Sequence, residues 1–121
     1  MYEIAVTDYI EAAHWTAVNA DEADHRRRMH GHSYVVTLWL FREALDSSGM
    51  VEELDALKGE LRTICDELDH RVLNDVEALG HPTMEAISKF VYERATTRGL
   101  NVKCVEVNRP TLGYTARYYE G

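Results

Sequence analysis

At 121 residues, the chain is long enough for one domain with a single hydrophobic core and too short for two. Its 45% hydrophobic and 28% charged residues are ordinary for a globular protein. A net charge of −8, with one basic cluster at positions 26–28, argues against a nucleic-acid-binding protein. No apolar run approaches the roughly 20 residues of a membrane span, and the first residues lack the pattern of a secretion signal. The two cysteines form no CxxC motif, so we expect a cytoplasmic protein with reduced thiols.

Four segments have the composition of β-strands. Residues 2–15 alternate loosely and are rich in β-formers, and residues 32–42 give the clearest strand pattern. Residues 102–108 and 114–119 predict two further strands around a turn-prone stretch that contains Pro110 and Gly113. Residues 16–28 lose the alternation and become highly charged. They predict a loop, which at this length is often functional.

Two helices are predicted between the second and third strands. In residues 52–68, leucine and isoleucine recur at three- and four-residue steps, as in a helix with one face in the core. The second helix is predicted to begin after Thr83, which suits an N-cap and follows Pro82, and to run to Thr97 before Gly99. The order strand, strand, helix, helix, strand, strand predicts a single α+β domain over residues 1–121, with an antiparallel sheet.

Two histidines, His30 and His32, stand two residues apart at the start of the second strand. Side chains at i and i+2 of a strand point to the same face, so these imidazoles can bind one metal ion. His14 ends the first extended segment and supplies a third imidazole. Three histidines from two strands form an open catalytic zinc site, with the fourth position left for substrate or water. The HxH pattern alone also fits ordinary surface or capping histidines, so its structural context must decide.

Four motifs in the chain resemble those of one family, in the same order and with similar spacing. They are Ala12-Ala13-His14, His30-Gly31-His32-Ser33-Tyr34, Leu68-Asp69-His70-Arg71-Val72-Leu73-Asn74 and Pro82-Thr83-Met84-Glu85. Over about residues 2–119, the chain resembles the 6-pyruvoyltetrahydropterin synthase and 6-carboxytetrahydropterin synthase family. The resemblance implies a tunnelling fold (T-fold), a four-stranded antiparallel sheet with two helices on one face. It also implies a homo-oligomer, a trimer closing a barrel or a hexamer, with active sites between subunits; closure would protect the sheet edges.

The resemblance further implies roles for individual residues. The three histidines would hold zinc, which in the family binds side-chain oxygens of a dihydroneopterin triphosphate substrate and acts as a Lewis acid. His70 would be a general acid/base, and Asp69 would fix its tautomer and raise its basicity. Thr83 and Glu85, from the fourth motif, are expected to bind the substrate. Hence the expected ligands are zinc and a small molecule.

The first departure from the family lies before His30. The usual member has a cysteine four to six residues before its HGH motif, where it acts as a base. Positions 24–26 here are Asp, His and Arg, and neither Cys65 nor Cys104 lies nearby in sequence. Some relatives carry a glutamate instead and cleave the side chain in a retro-aldol manner. Asp24 or His25 is expected to take the comparable role, with Glu22 a weaker candidate; alternatively, the loop is only a charged, solvated surface.

The second departure lies at the end of the third strand. The family's Val-x-Glu-Thr motif has a glutamate that accepts hydrogen bonds from the pterin ring, and alignment on Val107 places Arg109 there. Arginine has five donors and no acceptor, so it would repel the guanidine-like edge of a pterin and attract a carboxylate or phosphate. A shifted register would bring Glu106 nearer instead, but positions 106 and 109 share a face only across a bulge.

These patterns together predict a zinc-dependent lyase that acts on a hydroxylated or oxo side chain. Two versions stay open: a pterin enzyme with an unusual anchor, and a repurposed paralogue with an anionic, non-pterin substrate. A different class of protein is also open, a zinc-binding T-fold that has lost catalysis and serves as a binding or assembly module. The intact zinc set and Asp-His pair argue against that loss.

Overall fold

The computed structural model describes residues 1–17 and 25–120. Four antiparallel strands form one sheet, and their order in the sheet is their order in the chain. The strands are β1 (Tyr2–His14), β2 (His30–Arg42), β3 (Val102–Arg109) and β4 (Tyr114–Tyr119). Between β2 and β3 come the helices α1 (Leu54–Cys65) and α2 (Met84–Thr97), with the short 3-10 helices Leu73–Asp75 and Glu77–Leu79 between them. A further 3-10 helix, His25–Arg27, precedes β2. The predicted α+β class with an antiparallel sheet is confirmed.

Both helices pack on one face of the sheet, α1 against β1 and α2 against β3 and β4. The period-two pattern of the strands determines which side chains point towards them. Ile10, Val36 and Leu38 are fully buried beneath the helices, whereas Tyr9, which points to the other face, is 56% exposed. The apolar stripe of α1 includes Leu61, which is also fully buried. The core therefore lies between the sheet and the helix pair. Within the described residues, no helix is long and apolar enough to span a membrane.

Several boundaries differ from the prediction, and two of these differences bear on the site. Strand β2 begins at His30 rather than at residue 32, so that His30 pairs with His14 at the very end of the sheet. Helix α1 ends at Cys65 rather than at residue 68, because the following residues turn back towards β1. Leu68 is nevertheless fully buried. The apolar stripe thus continues through the turn although the helix does not.

Candidate metal centre

Three histidine side chains converge where β1 ends and β2 begins. His14 lies opposite His30 in the antiparallel pair, and His32 lies opposite Ala12. All three occupy strand positions that face the helices, and their ring centroids are 4.6, 4.9 and 4.7 Å apart. One nitrogen from each ring can be chosen so that all three lie within 4.8 Å of one another. The structure therefore brings together the three residues that the sequence analysis chose as metal ligands.

The hydrogen bonds of two of these rings suit a cation. Nδ1 of His14 lies 2.7 Å from the carbonyl oxygen of Pro82, and Nδ1 of His30 lies 2.7 Å from that of Arg28. A carbonyl oxygen can only accept, so each Nδ1 must carry the proton and donate it. In the neutral rings both Nε2 atoms then present lone pairs, and these atoms are only 3.0 Å apart. A metal ion bound to both nitrogens would remove this repulsion, and such outer hydrogen bonds are typical of metal-bound histidine.

The electrostatics of the site keep two of the imidazoles, those of His14 and His32, neutral, as metal binding requires. Burial, followed by the charge of Arg109 and by the neighbouring histidines, lowers the pKa of His32 to about 4. Burial also lowers the pKa of His14, against the opposing effect of its bond to the Pro82 carbonyl. Both rings therefore offer lone pairs rather than protons at neutral pH. This donor set fits zinc, which accepts imidazole nitrogen readily.

His70 lies beside this site, at the edge of the sheet. Its side chain is 79% exposed. It lines an open pocket of about 460 Å³ together with His32, Glu11 and Ser33. The backbone of His70 has φ +58°, the one positive φ of a non-glycine residue in the described chain. Such a conformation persists only where its surroundings hold it, and it often occurs at functional sites.

Asp69 holds this strained turn against β1. Its Oδ1 accepts a 2.8 Å hydrogen bond from the backbone N–H of Glu11, and the N–H of His70 donates a 2.6 Å bond to the Glu11 carbonyl. The other oxygen lies 3.4 Å from the guanidinium of Arg62, which also binds Asp8 at 2.8 Å. By contrast, 3.8 Å separates Asp69 Oδ2 from His70 Nε2, which is too long for a hydrogen bond. In this chain Asp69 fixes the backbone of His70 rather than its ring.

Sequence reasoning missed several of these partners. The carbonyls of Pro82 and Arg28 determine the tautomers of two histidines, yet a backbone carbonyl has no side-chain signature. Glu11 and Arg62 hold the turn of His70, and only the spacing of Arg62 from Asp66, four residues along a helix, is visible in the sequence.

Comparison with known proteins identifies the family. A family model described as 6-pyruvoyl tetrahydropterin synthase matches residues 3–120. The chain belongs to this family. It is 33% identical over 99 residues to 6-carboxy-5,6,7,8-tetrahydropterin synthase of Synechocystis, covering 77% of this chain and 76% of the relative. It is 30% identical over 98 residues to the Bacillus subtilis protein of the same name, covering 76% of this chain and 64% of that relative.

The fold of the family is also confirmed. The Caenorhabditis elegans 6-pyruvoyl tetrahydropterin synthase structure superimposes with a TM-score of 0.82 at 24% identity, covering 99% of this chain and 96% of that one. The predicted T-fold, with four antiparallel strands and two helices on one face, is therefore correct. The synthase activities in these names are those of the related proteins.

The chain departs from the family pattern at two places, and the first of them is described only in part by the structure. Asp24 and Glu22 lie outside the described residues, whereas His25 begins the 3-10 helix His25–Arg27 and is exposed. The same short helix is tied to the end of β1, because the N–H of Thr16 donates a 2.7 Å bond to the carbonyl of Arg26. His25 is thus five residues before His30, in the segment that leads into the metal site.

Thr83 and Glu85, expected to bind substrate, stand at the start of α2. The Thr83 hydroxyl oxygen accepts the N–H of Ala86 at 3.2 Å, so it caps the helix as predicted. Glu85, in the first turn, lines two open pockets on either side of the helix start. Pro82, directly before the cap, accepts the hydrogen bond from His14. The cap therefore fixes the carbonyl that orients one of the candidate ligands.

Arg109, which the sequence analysis expects at the position of the family's glutamate, is the last residue of β3 and pairs with Tyr114 of β4. Its guanidinium carbon lies 5.6 Å from the centroid of the Tyr114 ring. Its positive charge contributes to the lowered pKa of both His14 and His32. The positive charge of Arg109 therefore acts on the candidate metal site. By the resemblance described above, the family has a hydrogen-bond acceptor at this position, whereas arginine attracts anions.

Proposed function

We propose that this chain is a zinc-dependent lyase that acts on a hydroxylated or oxo side chain, either of a pterin or pterin-like small molecule or of an anionic, non-pterin substrate. Membership of a family whose curated relatives are tetrahydropterin synthases supports an enzyme. The observation that carries the proposal is the 3.0 Å approach of two histidine Nε2 atoms whose Nδ1 protons are both donated to carbonyls. Two nitrogen lone pairs that face each other repel without a cation between them, and a bound cation turns the arrangement into a favourable one.

In this proposal His14, His30 and His32 hold the metal through ring nitrogens. When bound, zinc would supply Lewis-acid polarisation of substrate oxygens and so favour loss of neighbouring protons. The carbonyls of Pro82 and Arg28 keep two of the rings in the correct tautomer and orientation. A set of three protein ligands would leave the bound metal accessible to a substrate oxygen.

His70 is proposed to move the proton. Its exposed ring lines the same open pocket as His32, so a substrate held at the metal site can reach it. Asp69 contributes by pinning the turn that carries His70 to β1, and it is a positioning residue in this chain. Asp24 or His25 is proposed as the second proton-transfer group, because the segment 24–28 leads directly into His30. A carboxylate there would need a raised pKa to act as a base at neutral pH.

The active form is proposed to be a homo-oligomer, a trimer or a hexamer, with active sites between subunits. The sheet of one chain has two open edges, β1 and β4, and pairing of such edges between subunits would satisfy their backbone groups. The open pocket beside His70 would then gain a second wall. A cytoplasmic location is proposed because both cysteines are free and buried, as expected in a reducing compartment.

The alternative candidate is a zinc-binding T-fold without catalysis. Turnover of dihydroneopterin triphosphate and zinc content would be measured for the native protein and for His30→Ala, His70→Ala and the control Glu43→Ala. His30→Ala is expected to lose most zinc and turnover. His70→Ala is expected to keep its zinc and lose turnover by about a hundredfold or more. Glu43 is exposed and directly follows the end of β2 that is opposite to His30, so its variant should match the native protein.

Stoichiometric zinc in His30→Ala would contradict the ligand set. Unchanged turnover in His70→Ala would contradict its role in proton transfer. A binding module would instead hold zinc in the native protein and in His70→Ala, and neither protein would turn over dihydroneopterin triphosphate or a sugar-sized anionic substrate such as ribose 5-phosphate.

A further inference from the structure

The side chain of Arg109 belongs to the same face of the sheet as the metal site. The pairing of β2 with β3 runs to Val35 opposite Asn108, so that Tyr34 and Arg109 are the next residues of the two strands. Side chains alternate along both strands, so Arg109 shares its face with Tyr34 and, two residues earlier, with His32. The rings of His32 and Tyr34 are in edge-to-face contact, with centroids 5.8 Å apart. A continuous strip therefore runs from the metal site to Arg109.

The charge of Arg109 is available for a ligand. Within residues 1–17 and 25–120, no carboxylate forms an ion pair with its guanidinium, although other arginines such as Arg62, Arg94 and Arg117 have such partners. The Tyr114 ring, whose centroid lies 5.6 Å from the guanidinium carbon, stabilises the cation, and no described residue accepts a hydrogen bond from the guanidinium. Arg109 is half-buried, and a half-buried guanidinium without an anion has a strong preference for acquiring one.

We propose that Arg109 binds an oxyanion, a carboxylate or a phosphate, at the end of the substrate that points away from the metal site. This inference rests on the proposed zinc site and specifies the substrate class for it. The guanidinium offers only donors, so it recognises two oxygens of an oxyanion and rejects the donor-rich edge of a neutral pterin. A site built for one hydrogen-bonding pattern discriminates strongly against the opposite pattern.

The spacing along the strip indicates the size of this substrate. Diagonal neighbours on adjacent antiparallel strands are roughly 7–8 Å apart, the relation of His32 to Arg109. A compound of sugar size, with hydroxyl or oxo groups at one end and an oxyanion at the other, can span that distance. Suitable probes are ribose 5-phosphate and ribonate, which carry a phosphate and a carboxylate, and neutral ribose. Neopterin represents a neutral pterin.

Binding of these four probes would be measured by calorimetry on zinc-loaded native protein and on Arg109→Gln and Arg42→Gln. Arg42 is a matched control, since it lies at the far end of β2 from His30 and pairs with Asp46 at 3.6 Å. In the native protein, ribose 5-phosphate or ribonate is expected to bind at least about tenfold more tightly than ribose. Arg109→Gln should abolish that preference and Arg42→Gln should keep it. The preferred probe identifies the oxyanion as phosphate or carboxylate.

Equal affinities for the anionic and neutral sugars in the native protein would overturn the proposal. So would a preference that survives in Arg109→Gln, or neopterin binding tighter than either anion and unchanged in that variant. Zinc content, measured on the same samples, distinguishes a failure of the anion site from a failure of the function proposed above. A protein without zinc that keeps an Arg109-dependent preference for anions would overturn the zinc lyase and retain the anion site.

Discussion

At the scale of single residues, two imidazoles of the candidate metal site, those of His14 and His32, resist protonation. His32 has a pKa of about 4 in the folded chain, lowered first by burial and then by the charge of Arg109. In the unfolded chain its pKa is expected near 6.5. Between these values the unfolded state binds more protons than the folded state. Folding stability should therefore fall as the pH falls.

This predicts a pH dependence for the metal-free protein. Its free energy of unfolding, from urea titrations, is expected to decrease as the pH is lowered from about 6.5 to about 4. His32→Ala should have a shallower slope in this range, because the group that protonates on unfolding is gone. Leu112→Ala, at an exposed position without a titrating group, should keep the native slope. An unchanged slope in His32→Ala would contradict the lowered pKa.

At the scale of elements, the turn after α1 shows how a proposed catalytic side chain is placed. Asp69 and His70 were expected to form a hydrogen-bonded pair, yet their side-chain atoms are 3.8 Å apart. Two bonds to Glu11 instead fasten the turn to β1 and hold His70 at its positive φ. Arg62, on α1, joins the same network through Asp69. The position of His70 thus depends on contacts between a helix, a turn and a strand.

Loss of the Asp69 carboxylate should therefore reduce stability. Asp69→Ala removes the acceptor of the Glu11 N–H, and we expect a loss of about 1 kcal/mol in the free energy of unfolding. Asp66→Ala is the matched control, because Asp66 is 64% exposed and binds the same Arg62. An exposed i,i+4 pair contributes only a few tenths of a kcal/mol. Equal losses in the two variants, measured by urea titration, would show that Asp69 does not fasten the turn.

At the scale of the whole molecule, the two edges of the sheet are where the proposed oligomer would form. The outer edge of β1 is covered only in part, since the N–H of Ala13 donates a 3.0 Å bond to the carbonyl of Arg71. The strand is 13 residues long, and an unprotected edge of this length is unfavourable in water. The other free edge is β4.

Light scattering is accordingly expected to give three or six times the chain mass of 13.9 kDa. Hydrogen exchange would test the contact itself. Backbone amides at the outer edge of β4, and of the first half of β1, should exchange slowly in the oligomer because they pair across subunits. A 13.9 kDa species with rapid exchange at both edges would contradict this assembly.

Much of the fold and of the metal site could be predicted from the sequence, because both depend on local periodicity. The period-two pattern placed His30 and His32 on one face, the apolar stripe identified α1, and Thr83 marked the start of α2 through its capping side chain. The family motifs extended this to the T-fold, which the comparisons confirm. These features need no knowledge of distant contacts.

The tertiary structure alone decided the features that depend on backbone groups or on distant partners. Helix α1 ends before its apolar stripe does, because Leu68 stays buried in a turn. The carbonyls of Pro82 and Arg28 determine the histidine tautomers, yet a carbonyl is the same at every position in a sequence. The absence of an ion pair for Arg109 among the described residues likewise depends on which carboxylates lie near it in space. Sequence determined which chemical groups are present, and folding determined which of them meet.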